Sequence, residues 1–138
     1  MVVQTRIPIG LTLPIRKAGP SYFDQSYDTQ TQVRSNIINL LNTKPGERRM
    51  QPTFGSRLWT LAFEQHTDTI EENARRIVYE DISLWVPGVS VIHTDVSLLK
   101  NEQSQDGRDI YRLYISVQFL VNLTRQMDTI ELNVDRVI

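Results

Sequence analysis

At Pro87-Gly88 the spacing of apolar residues changes, and no single regular element carries both spacings. Before that point Ile70, Ala74, Ile77, Val78, Ile82 and Trp85 recur at three and four, the stripe of an amphipathic helix over 68–85. After it the period is two. Over 110–122, Tyr111, Leu113, Ile115, Val117, Phe119 and Val121 alternate with Arg112, Tyr114, Ser116, Gln118 and Asn122, the mark of a strand with one buried face. The chain therefore stacks a helical layer, written first, on a sheet, written second.

The remaining elements follow the same two periods. Residues 89–99 read as the first strand, with Ile92, Val96 and Leu98 on one face. Residues 129–137 read as the third, with Ile130, Leu132 and Val134 alternating against Thr129, Glu131, Asn133 and Asp135. Asn101 to Arg108 is a polar hairpin loop, and Thr124 to Asp128 turns the chain. A helix over 29–43 aligns Val33, Ile37, Leu40 and Leu41, with Thr29 and Gln32 as a capping box. Pro45 ends it by biasing Lys44 out of the helical region. A short helix starts at Gly55 or Ser56 and runs through Phe63, burying Leu58, Leu61 and Ala62 with Trp59 or Phe63 close by. In the 68–85 helix Thr69 and Glu72 make a second capping box, and Glu71 with Arg75 and Glu72 with Arg76 make pairs one turn apart. The expected fold is α+β: three helices packed on a three-stranded antiparallel meander sheet, with an irregular N-terminal arm. Residues 1–27 form the arm and 28–138 a single domain. Pro8, Gly10, Pro14, Gly19 and Pro20 punctuate the arm, yet Leu11, Leu13, Ile15, Tyr22, Phe23 and Tyr27 are too apolar for a free tail. It lies over the domain or over a partner.

Composition narrows the function. With 138 residues, 40% hydrophobic and 22% charged, the chain holds one real core. A net charge of −1 argues against nucleic acid as a partner, since phosphate binding needs a basic surplus. The absence of cysteine removes disulfides, thiol catalysis and thiolate metal sites. No apolar run approaches the ~20 residues of a membrane helix, and Met1 to Gly10 lacks a secretory signal's apolar segment. No membrane partner and folding in cytoplasm are expected.

Catalytic patterns are also missing. His66 and His93 are the two histidines, and neither has a metal-ligand neighbour at useful spacing. There is no nucleophile elbow and no phosphate-cradling glycine loop. Glu47, Glu64, Asp68, Glu80 and Asp81 are the carboxylates weighed for a glycosidase, which needs one carboxyl in an apolar pocket and another ~5–10 Å away across a cleft. Nothing in the spacing selects such a pair. No catalytic residue, metal or cofactor is expected.

Two stretches stand out instead. The loop from Pro45 to Trp59 holds Glu47, Arg48, Arg49, Pro52, Phe54 and Arg57. Arginine forks with buried aromatics either brace a loop against its own helices or grip another chain. The second stretch is the last strand. If it lies at the sheet edge, nothing follows to cover it, and an open edge is a template for a strand from another chain. The alternative is a short edge protected by Glu131, Asp135 and Arg136.

The run from Val33 to Leu58 resembles the baseplate wedge and sheath-initiator family of contractile-tailed phages, which includes W-type tail proteins and is similar to the wedge component of type VI secretion baseplates. The residues that carry the resemblance are Leu41, Thr43, Pro45-Gly46-Glu47-Arg48, Met50, Pro52, Phe54, Gly55 and Leu58, with Gly10-Leu-Thr-Leu-Pro14 upstream. Gln51 departs from the pattern, where arginine is common. The resemblance implies a structural virion protein without catalysis, placed in the tail baseplate and assembled in the host cytoplasm. It implies wedge partners at Glu47, Arg48, Arg49, Pro52, Phe54 and Arg57. It also implies a tail sheath partner added as a strand along Ile130, Leu132, Val134 and Arg136, with tail tube or hub proteins as further candidates. A lysozyme-like label attached to relatives finds no support in these residues. A small regulatory adaptor on the same fold is the alternative, and a peptidoglycan hydrolase the third reading.

Overall fold

The computed structural model describes residues 7–19, 22–63, 69–101 and 110–137. In chain order they form β1 (Gly10–Leu11), β2 (Gln25–Ser26), α1 (Thr29–Asn42), a 3₁₀ helix (Arg57–Phe63), α2 (Thr69–Trp85), β3 (Val89–Asn101), β4 (Ile110–Val121) and β5 (Gln126–Val137). The last three make an antiparallel sheet in the order β3-β4-β5, and β1 pairs with β2 as a two-residue ribbon. The helices cover one face of the three-stranded sheet. No helix among the described residues is long and apolar enough to cross a membrane.

The α+β class stands, but the expected third helix is a 3₁₀ helix, so the helical layer holds two α-helices. Spacing explains the difference. Leu58 and Leu61 are three apart and both buried, and three residues per turn keeps such a pair on one side.

β4 is central and pairs with both neighbours along its length, Val117 facing Thr94 on β3 and Ile130 on β5. Its alternation is as written: Leu113, Ile115, Val117 and Phe119 are 0% exposed. They pack with Ile37 and Leu40 of α1, Leu58 and Leu61, and Ile70, Ala74, Val78 and Ile82 of α2. Each of these side chains apart from Ala74 contributes roughly 1.5–3 kcal/mol of burial, and no other cluster of this size exists among the described residues.

β3 departs from simple alternation. Its register shifts between Val91 and His93, so Ile92 is a bulge residue, 51% exposed, against the expectation that it faces inward. Below the bulge Val89 and Val91 turn to the core, and beyond it Val96 and Leu98 do. β5 starts at Gln126, earlier than expected. Arg125 adopts a left-handed φ of 55° and its N–H donates to Val121 O at 2.8 Å, which closes the turn before the anticipated strand start. The loop expected over Asn101 to Arg108 lies outside the described residues beyond Asn101.

The cap of α1 is Asp28, not Thr29. Its carboxylate accepts from the N–H and the hydroxyl of Thr31, each at 2.8 Å, which holds its pKa below the ordinary aspartate value. Gln32, freed from the expected box, accepts from the Ser26 hydroxyl and donates to Asn36 Oδ1. On α2 the expected pairs are not made among the described residues. Arg75 reaches across to Thr94 O of β3 at 3.2 Å, and Arg76 turns to Asn73 at 3.4 Å.

The arm is tied down by polar groups. Ile9 N–H donates to Ser26 O at 2.8 Å, Asp24 N–H to Arg16 O at 2.9 Å, and Leu13 N–H to the buried Ser35 hydroxyl of α1 at 3.1 Å. Its apolar side chains do not share in this. Ile15, Tyr22, Phe23 and Tyr27 are exposed.

Candidate functional site

Two surfaces carry the residues of interest, the loop between α1 and the 3₁₀ helix, and the outer edge of β5. The loop closes on itself. Ser56 N–H donates to Thr43 O at 2.8 Å across its base, and Gly46 N–H donates to Pro52 O at 2.7 Å across its middle. Three tight turns follow in series, through Glu47 N–H to Lys44 O, Gln51 N–H to Arg48 O and Phe54 N–H to Gln51 O. Gly55 seals the base at a φ of 136°. A Cβ there would lie 2.6 Å from Thr43 O and 2.7 Å from Pro45 N, both backbone atoms with no room to yield.

Below the base sits a buried polar pair. The Ser56 hydroxyl donates to Asp81 Oδ2 of α2 at 2.6 Å and accepts from Leu58 N–H at 3.3 Å. Asp81 is 7% exposed, and burial pushes its pKa above the ordinary value. Ser56 thus stitches the loop to α2 and starts the 3₁₀ helix. Asp81 entered the sequence reading only as one of several carboxylates, and its partner lies 25 residues away, beyond what local spacing shows.

The structure brings most of the sequence-selected residues into contact with their own loop. Glu47 Oε2 accepts from Lys44 N–H at 3.0 Å. The Arg48 guanidinium lies over the Phe54 ring at 3.9 Å, and Phe54 meets Trp85 of α2 edge-on, with centroids 5.2 Å apart and planes at 70°. Arg57 pairs with Glu80 at 3.1 Å, both well exposed, a contact worth at most about 1 kcal/mol. Arg49 and Pro52 stand at the exposed surface. Beside them Met50 is 94% exposed. A cleft of about 300 Å³ opens next to this stack, bounded by Arg48, Gln51, Phe54 and Trp85 on one side and by Asn36 and Asn39 of α1 on the other. The bracing reading of the loop holds for its inner residues. Its inner residues lock its shape, and Arg49, Met50 and Pro52 project from it. Met50 was legible as a motif residue but not as a site. Trp85 read as one more member of a core stripe, and it proves half-exposed beneath Phe54.

On β5 the selected side chains face the other way. Ile130 is 1% exposed and belongs to the core, with Leu132 and Val134 half-buried beside it. Ile130 is therefore not a side chain a partner touches. What β5 offers outward is backbone. The side chain of Arg136 lies outside the described residues, as do Glu64, His66 and Asp68. His93 forms an exposed pair with Asp95 at 2.9 Å.

The model of one protein family, baseplate wedge protein gp25, matches residues 28–126. The chain belongs to that family. The matched span of this gp25-family chain holds both α-helices, the whole loop, β3 and β4, and stops where β5 begins. No curated protein matches the sequence. Two solved structures share the fold. A protein of Geobacter sulfurreducens named as a candidate tail lysozyme is 22% identical, with a TM-score of 0.65 over 79% of this chain and 92% of its own. The anti-feeding prophage baseplate contains a chain 20% identical, with a TM-score of 0.65 over 81% of this chain and 83% of its own.

Proposed function

We propose that this gp25-family chain is a structural, non-enzymatic part of a contractile-tail baseplate, bound to neighbouring wedge proteins through the Pro45–Arg57 loop and adding a tail sheath strand to the edge of β5. The family match carries the baseplate reading, and its span includes every residue of the loop. The loop's form supports a wedge contact. It is rigid at its base, and the exposed Arg49, Met50 and Pro52 beside a stacked Arg48–Phe54–Trp85 cluster have the composition of a binding hot spot. The exposed apolar side chains of the arm favour a second covered surface, since a monomer seldom leaves so many outward.

Strand addition is supported by the position of β5 at the sheet edge. Backbone groups alternate in direction along a strand. Arg34 of α1 bonds the outward carbonyl of Thr129, so Asn133, four residues on, also turns its N–H and C=O away from β4. Asn133→Pro removes an outward donor without breaking the β4–β5 ladder. Pull-downs from producing cells, read by mass spectrometry, test the whole reading. The parent recovers baseplate and sheath proteins, whereas Asn133→Pro keeps the baseplate proteins and loses sheath. Sheath recovered equally by both overturns strand addition at this edge. No tail protein recovered by either overturns the baseplate role and favours the regulatory adaptor.

A hydrolase reading requires a second carboxyl across a cleft, whereas Asp81 is held against Ser56 beneath the loop. Clearing of peptidoglycan in a gel assay is the result that overturns the structural role.

A further inference from the structure

The edge of β5 is closed at one end and open at the other. At its start, α1 reaches over and bonds the outward backbone. Gln30 Nε2 donates to Met127 O at 3.4 Å, and Arg34 Nη1 donates to Thr129 O at 2.7 Å. The same Arg34 nitrogen pairs with Asp128 Oδ1 at 3.0 Å, and that carboxyl oxygen accepts from Thr129 N–H at 2.8 Å. Both backbone groups of Thr129 are thus engaged by charged side chains. By alternation Glu131 and Asn133 face outward too, and no described side chain bonds their backbone. The cover over the inner face ends at the same place, since Ile130 is 1% exposed while Leu132 and Val134 are half-buried.

We propose that Arg34, with Asp128 and Gln30, is a register stop that closes residues 127–129 of β5 to any added strand, so that intermolecular pairing begins at Glu131. This rests on the strand-addition reading above and sharpens it. A strand slipped by one residue exchanges its two faces, so an edge open along its full length would admit several pairings. A closed start removes those that reach residues 127–129 and sets where pairing begins. The strand it selects alternates aliphatic residues, beside Leu132 and Val134, with basic residues, beside Glu131. Side chains of α1 take the place of the edge lysine or proline that protects many sheets.

Amide hydrogen exchange on the full chain tests the stop, with a short peptide of alternating valine and lysine as the probe strand. In the parent the peptide slows the Glu131 and Asn133 amides and leaves Met127 and Thr129 unchanged. In Arg34→Ala the Thr129 carbonyl loses its donor and Asp128 loses the cation beside it, and the peptide footprint extends back to Met127. Arg34→Lys keeps the charge but ends one bond short of the position from which Nη1 meets both acceptors, and behaves as Arg34→Ala. The amides of β4, unchanged in both variants, show that the fold is intact. A footprint that is the same in parent and variants overturns the stop and leaves strand addition standing. A peptide that protects no β5 amide in any of the chains overturns strand addition, and the stop with it.

Discussion

Asp81 is the residue at which burial and charge conflict. Its carboxyl lies under the loop, 7% exposed, with the Ser56 hydroxyl donating to it at 2.6 Å. Desolvation raises its pKa in the folded chain above the unfolded value of ~3.9, and the Ser56 bond and nearby Arg57 only partly oppose this. The sign follows from proton counting. Between the unfolded and the folded pKa the native state holds more protons than the unfolded state, so stability falls as pH rises through that window. The contribution is complete below about pH 4 and gone once pH exceeds the folded pKa. Asp81→Asn is neutral throughout and keeps an oxygen for Ser56 to donate to. Urea denaturation at a series of pH values should show the variant gaining on the parent from about pH 4 upward. Parallel curves mean that Asp81 is ionised in the fold and fully compensated.

At the scale of elements, the loop is a braced base with an exposed tip, and Phe54 joins the two. It is half-buried against the core, edge-on to Trp85 and under Arg48. A fully buried Phe→Ala change costs ~3–5 kcal/mol, and a half-buried one about half of that. Phe54→Ala should therefore lower the unfolding free energy, read from urea denaturation, by about 2 kcal/mol and also weaken recovery of baseplate partners. A variant with normal stability and normal partner recovery removes Phe54 from both roles. Regular elements of this fold were legible because one buried face imposes a period. The stripes of α1 and α2 and the alternation of β4 stand at their expected residues. The features that escaped are set by something other than the local period. The bulge at Ile92 depends on how β3 meets Phe119 and Gln118 of β4. The α1 cap fell to Asp28 because a carboxylate one residue earlier reaches the Thr31 N–H. The loop residues Glu47, Arg48, Phe54 and Arg57 were legible as one stretch, but not in their contacts. Their internal partners, Lys44 N–H for Glu47 and Glu80 for Arg57, come from turn geometry and from a distant helix.

For the molecule as a whole, β5 is both edge and core. It supplies Ile130 to the same cluster that holds Ile37 and Leu40 of α1, and it pairs with β4 from Gln126 to Val137. Removing residues 128–138 should therefore abolish cooperative thermal unfolding and not merely trim a surface. A truncated chain that still melts sharply shows that the helices and a two-stranded sheet suffice. The contact between Arg34 and Asp128, 94 residues apart, has a consequence in time. On the ribosome, α1 emerges long before the strand that covers it. At about 5–20 residues per second, the interval between Leu41 and Ile130 is on the order of ten seconds. Through most of it the apolar stripe of α1 has no sheet to lie on, and until Ile130 arrives the sheet is incomplete, so the nascent chain is exposed to capture by chaperones and to sticking to its neighbours. Docking of Arg34 on Asp128 therefore reports that the final strand has arrived and that this vulnerable interval is over.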